Sequence, residues 1–156
     1  MTRRPENYHQ PDYQHVQALV VHLKRGRATH LESIIRFLEE DPYTDGSGYL
    51  KEKIWRYLRR VELTEEQKER LRRTALQYVA IRLSREFFYM CRFITGIATE
   101  GLKEQVRALE GSPDERVRHR ASLLAAYLEG INQGEAARRA SFWPWIMSRV
   151  RRLQQE

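Results

Sequence analysis

Residues 31–42 read LESIIRFLEEDP, and residues 102–113 read LKEQVRALEGSP. The two stretches are copies of one pattern set 71 positions apart. Leu31, Arg36, Leu38, Glu39 and Pro42 are answered in register by Leu102, Arg107, Leu109, Glu110 and Pro113, and Ile35 is answered by Val106. Beyond each proline a second echo follows, in which Ile54, Tyr57 and Leu58 match Leu124, Tyr127 and Leu128 at a spacing one residue shorter. Each copy reads as a helix, a turn and a second helix. Helical hairpins that recur cannot bury their apolar faces alone, so they predict an all-α fold of stacked antiparallel hairpins, a short solenoid or bundle.

Working outward, the pattern predicts eight helices. They cover residues 11–24, 30–40, 48–60, 65–83, 85–97, 100–109 and 114–129, with an eighth region from Gly134 that Pro144 kinks or divides. The first carries Val16, Leu19, Val20 and Leu23 on one stripe. Thr29-His30-Leu31-Glu32, Thr64-Glu65-Glu66-Gln67 and Ser112-Pro113-Asp114-Glu115 each have the form of a capping box. In that motif a hydroxyl accepts from an orphan backbone N–H, and an acid or amide three residues on returns the bond. Pro113 suits the first helical position, where its missing N–H leaves nothing unpaired. The fifth helix, with Phe87, Phe88, Met90, Cys91, Phe93, Ile94 and Ile97, is apolar on most sides and predicts the centre of the core. No alternating β-branched run suggests a strand.

Residues 112–124, SPDERVRHRASLL, resemble the second-helix signature of HEAT and HEAT-like repeats, best at Pro113, Asp114, Val117, Arg118, Ala121 and Leu124. The resemblance is looser over residues 31–58, where Gly46, Ser47 and Gly48 lengthen the turn. It implies a helical-repeat interaction domain over residues 11–131, between a flexible arm at 1–10 and a carboxy-terminal capping or docking helix at 132–156. Asn132, Gln133 and Gly134 form the hinge between the last two. Bottom-up, the small Ala121 lets helices approach, and Arg118 is suited to bonding a turn.

The chain has 156 residues, enough for one domain with a sizeable core. No apolar run is long enough to span a membrane and no apolar leader opens the chain. A single cysteine, Cys91, permits no internal disulfide, and the expected location is cytoplasmic. The net charge is +7, carried by 23 Arg and 5 Lys. Such a balance favours contact with nucleic acid, anionic lipid or an acidic protein partner. The alternative is a solvated surface on which Arg and Glu neutralise each other.

Motifs for catalysis are missing: there is no Gly-rich phosphate loop, Cys-x-x-Cys, His-Glu-x-x-His or Gly-x-Ser-x-Gly. Neither a cofactor nor a metal is expected. His15 and His22 share a face, but two histidines on an amphipathic helix are ordinary boundary residues. Glu39, Glu40, Asp41 and Asp45 form an acidic cluster of the solvated kind. The candidate interaction residues are cationic and aromatic: Arg56, Arg59, Arg60, Arg70, Arg73, Trp143, Trp145, Arg149 and Arg152. Arg suits bidentate contact with carboxylate or phosphate, and Trp and Arg anchor interfaces. The expected function is a non-catalytic protein–protein interaction or scaffold module with an acidic protein partner. The alternative is a subunit of a larger complex that tracks the phosphate backbone of nucleic acid. The carboxy-terminal helix, with Phe142, Ile146, Val150 and Leu153 on one stripe, is a candidate for capping the array, for docking or homodimerising, or for lying on an anionic membrane.

Overall fold

In a computed structural model, residues 13–42 and 47–130 are described. Among them are seven α-helices and no strand, and helix accounts for 76% of these residues. No helix among them is long and apolar enough to cross a membrane. The arm at 1–10, Asp45, and everything from residue 131 onward, including the eighth helical region and its hinge, lie outside the described residues.

Helix α1 (Tyr13–Lys24) buries Val16, Leu19, Val20 and Leu23, the i, i+3, i+4, i+7 stripe that its sequence spells out. A turn with Gly26 at φ +74° leads to α2 (Leu31–Glu40). Here Leu31, Ile34, Ile35, Phe37 and Leu38 are buried, and Asp41, in the left-handed conformation, ends the helix by donating its N–H to the Phe37 carbonyl. Helix α3 (Ser47–Tyr57) continues into a single 3-10 turn, η1 (Leu58–Arg60). Then follow α4 (Glu65–Ile81), α5 (Phe87–Thr95), α6 (Glu100–Glu110) and α7 (Glu115–Leu128).

One of the three expected capping boxes forms. Thr64 Oγ1 accepts from the Gln67 N–H at 3.1 Å, and Gln67 Oε1 accepts from the Thr64 N–H at 2.9 Å. At α2 the cap position falls on His30, whose side chain makes no cap bond, because the chain turns helical one residue later than a Thr29 cap requires. At α7 the cap is Asp114, which accepts from the Arg116 N–H at 2.9 Å. Ser112 instead accepts from the Asp114 N–H, and Pro113 stands before the cap, not at the first helical position. Thr99 caps α6 through the Leu102 N–H, a start that the capping-box pattern misses because residue 102 is apolar.

Helix α5 is the hub, packed on α3, α4 and α7. Phe87, Met90, Cys91, Phe93 and Ile94 are buried, but Phe88 and Tyr89 are half-buried and Arg92 is exposed. One face of α5 therefore reaches solvent, contrary to a helix apolar on nearly every side. The largest core side chain is Trp55 of α3, with no exposed surface; its ring centroid lies 6.0 Å from that of Tyr78 and 5.6 Å from that of Phe93. Helices α6 and α7 pack closely against each other as a hairpin, and α7 joins the pair to α4 and α5. The main partners of α2 are α1 and α4, and those of α3 are α1 and α5.

Candidate functional site

Most of the described arginines fall into three environments, with Arg73, Arg107 and Arg116 exposed apart from them on α4, α6 and α7, and the sorting locates the candidate site. The first group is neutralised. Arg70 on α4 grips Glu39 in a fork, Nη2 to Oε1 at 2.5 Å and Nε to Oε2 at 3.1 Å, and reaches Glu32 through Nη1 at 2.7 Å. This hydrogen bond to Arg70 holds the Glu32 carboxyl below the usual range, against the opposing effect of partial desolvation. Arg72 pairs with Glu69 at 2.8 Å and donates to the Ile97 carbonyl at 2.7 Å. Arg82 pairs with Asp41 at 2.9 Å and Arg85 with Glu52 at 2.5 Å.

The second group is structural. Arg120 of α7 donates to the Val79 carbonyl at 2.5 Å and the Ala80 carbonyl at 3.2 Å, closing the end of α4. Burial lowers its readiness to hold a proton. Arg118 donates to the Ser112 and Pro113 carbonyls at 2.8 and 3.2 Å and fixes the turn ahead of its own helix.

The third group forms a surface. Lys24, Arg25, Arg27, Arg56, Arg59 and Arg60 are all exposed, and among the described residues no carboxylate lies within 4.0 Å of any of them. Two distant segments supply them. Arg60 Nη1 donates to the Lys24 carbonyl at 2.6 Å, which pins η1 to the end of α1. Gly26 sits so close that a Cβ there would lie 3.2 Å from the Arg60 carbonyl oxygen, and its positive φ disfavours any side chain.

This basic surface continues along α3 as an alternating series of guanidinium groups and phenol rings. Arg60 lies over the Tyr57 ring at 4.8 Å, and Arg56 lies 5.9 Å from the centre of the same ring and 5.8 Å from that of Tyr89. Arg92 lies 5.9 Å from the Tyr89 ring centre on α5. Further along, Arg85 stands over Tyr49 at 4.3 Å. Such contacts hold a cation near a ring within about 6 Å of its centre and limit its wandering. Tyr49, Lys53, Arg56 and Arg60 recur at spacings of four, three and four residues, so they line the solvent side of α3 and η1.

Of the sequence-predicted site residues, Arg56, Arg59 and Arg60 are thus brought together. Arg70 faces α2 and its acids, and Arg73 is exposed on α4 with no carboxylate within 4.0 Å among the described residues. Trp143, Trp145, Arg149 and Arg152 lie outside the described residues. Sequence reasoning missed Tyr89 and Arg92 as parts of this surface; the basic run Lys24-Arg25-Gly26-Arg27 stands out in the sequence, but its proximity to η1 is a tertiary fact.

Other candidates are absorbed by the fold. Within the acidic cluster Asp41 pairs with Arg82 and with Lys51, a fully buried lysine that also lies 3.7 Å from Glu86. Cys91 is fully buried, and burial pushes its thiol well above the ordinary range, which leaves no thiolate for nucleophilic chemistry. His22 packs edge-on against His30 with centroids 5.2 Å apart. Among the described residues no group of three or more His, Cys, Asp or Glu is placed to hold a metal ion. Comparison with protein families, with curated proteins and with solved structures finds no match to this chain.

Proposed function

We propose that this chain is a non-catalytic interaction module of helical-repeat type, and that its working surface is the basic face built from the 24–27 turn, α3, η1 and α5. The partner presents a dense row of negative charge. An acidic protein surface and a nucleic-acid backbone both meet that description. One observation carries the reading. Arg70, Arg72, Arg82 and Arg85 are matched to carboxylates within the fold, and the unmatched Arg73, Arg107 and Arg116 are spread over α4, α6 and α7. By contrast Lys24, Arg25, Arg27, Arg56, Arg59 and Arg60, with no carboxylate within 4.0 Å among the described residues, come from two segments that meet at one place. Concentrating unpaired like charge destabilises a folded surface, so a bound anion is the natural counterpart.

The α6–α7 hairpin supports the HEAT-like part of the reading. Its four-residue connection holds Ser112, Pro113 and Asp114, and Val117, Ala121 and Leu124 point into the core. Helices α2 and α3, the other pair in the sequence echo, find their main partners elsewhere, so the repeat reading rests on α6–α7. A cytoplasmic location is part of the proposal, in keeping with one buried, unpaired cysteine. Homodimerisation through the carboxy-terminal helix rests on residues outside those described.

Retention on immobilised heparin tests the module. The double variant Arg56→Glu/Arg59→Glu should elute at markedly lower salt than the parent. The charge-matched control Arg107→Glu/Arg116→Glu, on α6 and α7, should elute later than the first. Equal elution of the two doubles would show that net charge, not this face, governs binding, and would overturn the proposal.

A further inference from the structure

We infer that the series Arg92, Tyr89, Arg56, Tyr57 and Arg60 takes single-stranded nucleic acid, with guanidinium groups on the phosphates and the arginine–tyrosine layers beside the bases. The inference rests on the polyanion reading above and names its ligand. Three features favour a single strand over an acidic protein segment or a duplex.

The first is alternation. Each of Tyr57 and Tyr89 has two guanidinium carbons within 5.9 Å of its centre, and Arg56 serves both rings. The surface therefore interleaves positive charge with two half-buried phenol rings. A single strand matches both, since its phosphates are charged and its bases are unstacked and free to lie on aromatic or guanidinium planes. A Glu-rich segment would use the charge and leave the flat surface without a counterpart. A duplex keeps its bases inside.

The second is residue type. Of the seven exposed cations on the 24–27 turn, α3 and η1 that have no carboxylate within 4.0 Å among the described residues, five are arginine and two, Lys24 and Lys53, are lysine. The planar fork of arginine binds a phosphate through two N–H groups and stacks on rings, which lysine cannot do. The third is extent. From Tyr49 to Arg60 the solvent side of α3 and η1 runs on the order of 17 Å at the usual rise per residue. Tyr49, 60% exposed beneath Arg85, sits at its far end. An elongated strip suits a linear ligand and not a single anion. The cations and rings of the strip answer features that every nucleotide shares, a phosphate and a base face, so binding is expected to tolerate sequence.

Fluorescence anisotropy with the whole chain tests this. The labelled probes are a mixed-sequence single-stranded DNA 15-mer, the matching RNA, the DNA duplex, and a Glu-rich peptide of equal charge. Either single strand should bind at least ten-fold more tightly than duplex and peptide at low salt. Arg56→Gln should weaken binding several-fold and reduce the log–log salt slope by about 0.7, the value for one phosphate contact on a single strand. Arg56→Lys should keep that slope yet still weaken binding, and Tyr49→Ala should weaken binding with the slope unchanged. Arg107→Gln should change neither. Equal or tighter binding of peptide or duplex would overturn the inference and leave the polyanion reading in place. Equal effects of Arg56→Gln and Arg107→Gln would also overturn it. Failure of all probes, together with heparin retention indifferent to Arg56 and Arg59, would overturn both. Melting curves of each variant separate loss of binding from loss of fold.

Discussion

The guanidinium of Arg120 closes the end of a helix to which it does not belong. From α7 it donates to the Val79 carbonyl at 2.5 Å and to the Ala80 carbonyl at 3.2 Å, 40 residues or more away in sequence. These carbonyls belong to the last turn of α4, where intrahelical partners run out and a cation meets the negative end of the helix dipole. The contact ties the α6–α7 hairpin to α4.

Arg120→Met should therefore destabilise the whole domain, not the hairpin alone. Leaving the buried Val79 carbonyl without this donor costs about 1–3 kcal/mol. Urea unfolding followed by circular dichroism should give one transition at a lower midpoint, and Arg120→Lys should recover only part of the loss because one ammonium cannot repeat the fork. A variant as stable as the parent would show the bond to be ornamental.

Core substitutions should rank by burial within a single helix. Phe93, almost fully buried beside Trp55, should cost about 3–5 kcal/mol when cut to Ala. Phe88, half-buried on the same helix, should cost distinctly less. Chemical denaturation of the two variants checks the order, and equal losses would mean that α5 is buried on both sides after all.

How far these relationships could be read from the sequence varies with their range. Stripes such as Val16, Leu19, Val20 and Leu23 were legible, because helical spacing places them on one face whatever they pack against. Caps were legible to within a residue or two, which is enough to find a helix and too coarse to choose between Ser112 and Asp114. Trp55 passed unnoticed because it sits among Lys51, Glu52, Lys53 and Arg56, a setting that looks like surface. The candidate site was half legible. Arg56, Arg59 and Arg60 stand out as a run, but Arg70 looks just as free until α2 brings Glu32 and Glu39 to it from 38 and 31 residues away.

Lys51 offers a third test. It is fully buried between Asp41 and Glu86, with Arg82 also reaching both acids. Lys51→Met would leave two nearly buried carboxylates with one shared cation, and breaking a buried pair in this way costs about 3–5 kcal/mol. The double variant Lys51→Met/Glu86→Gln should be more stable than Lys51→Met alone, since it removes the uncompensated charge. A double-mutant cycle measures the coupling directly. Strict additivity would mean that the pair does not interact.

The last test concerns alkaline pH. Burial raises the Cys91 thiol and the Tyr78 hydroxyl well above their ordinary values, and Tyr78 also donates to the Leu38 carbonyl at 3.2 Å. In the unfolded chain both groups release protons in their usual ranges, near 9 and 10, whereas in the folded chain they hold them. The unfolded state therefore binds fewer protons once pH passes those values, and stability must fall as pH rises. Below pH 8 the two groups should contribute no slope. Cys91→Ala loses packing at every pH, but its stability should decline less steeply between pH 8.5 and 10 than that of the parent. A thiol reagent at pH 8 should label Cys91 only at the rate of unfolding. Immediate labelling of the folded chain would show that α5 opens locally, and identical alkaline slopes for parent and variant would remove Cys91 from the linkage.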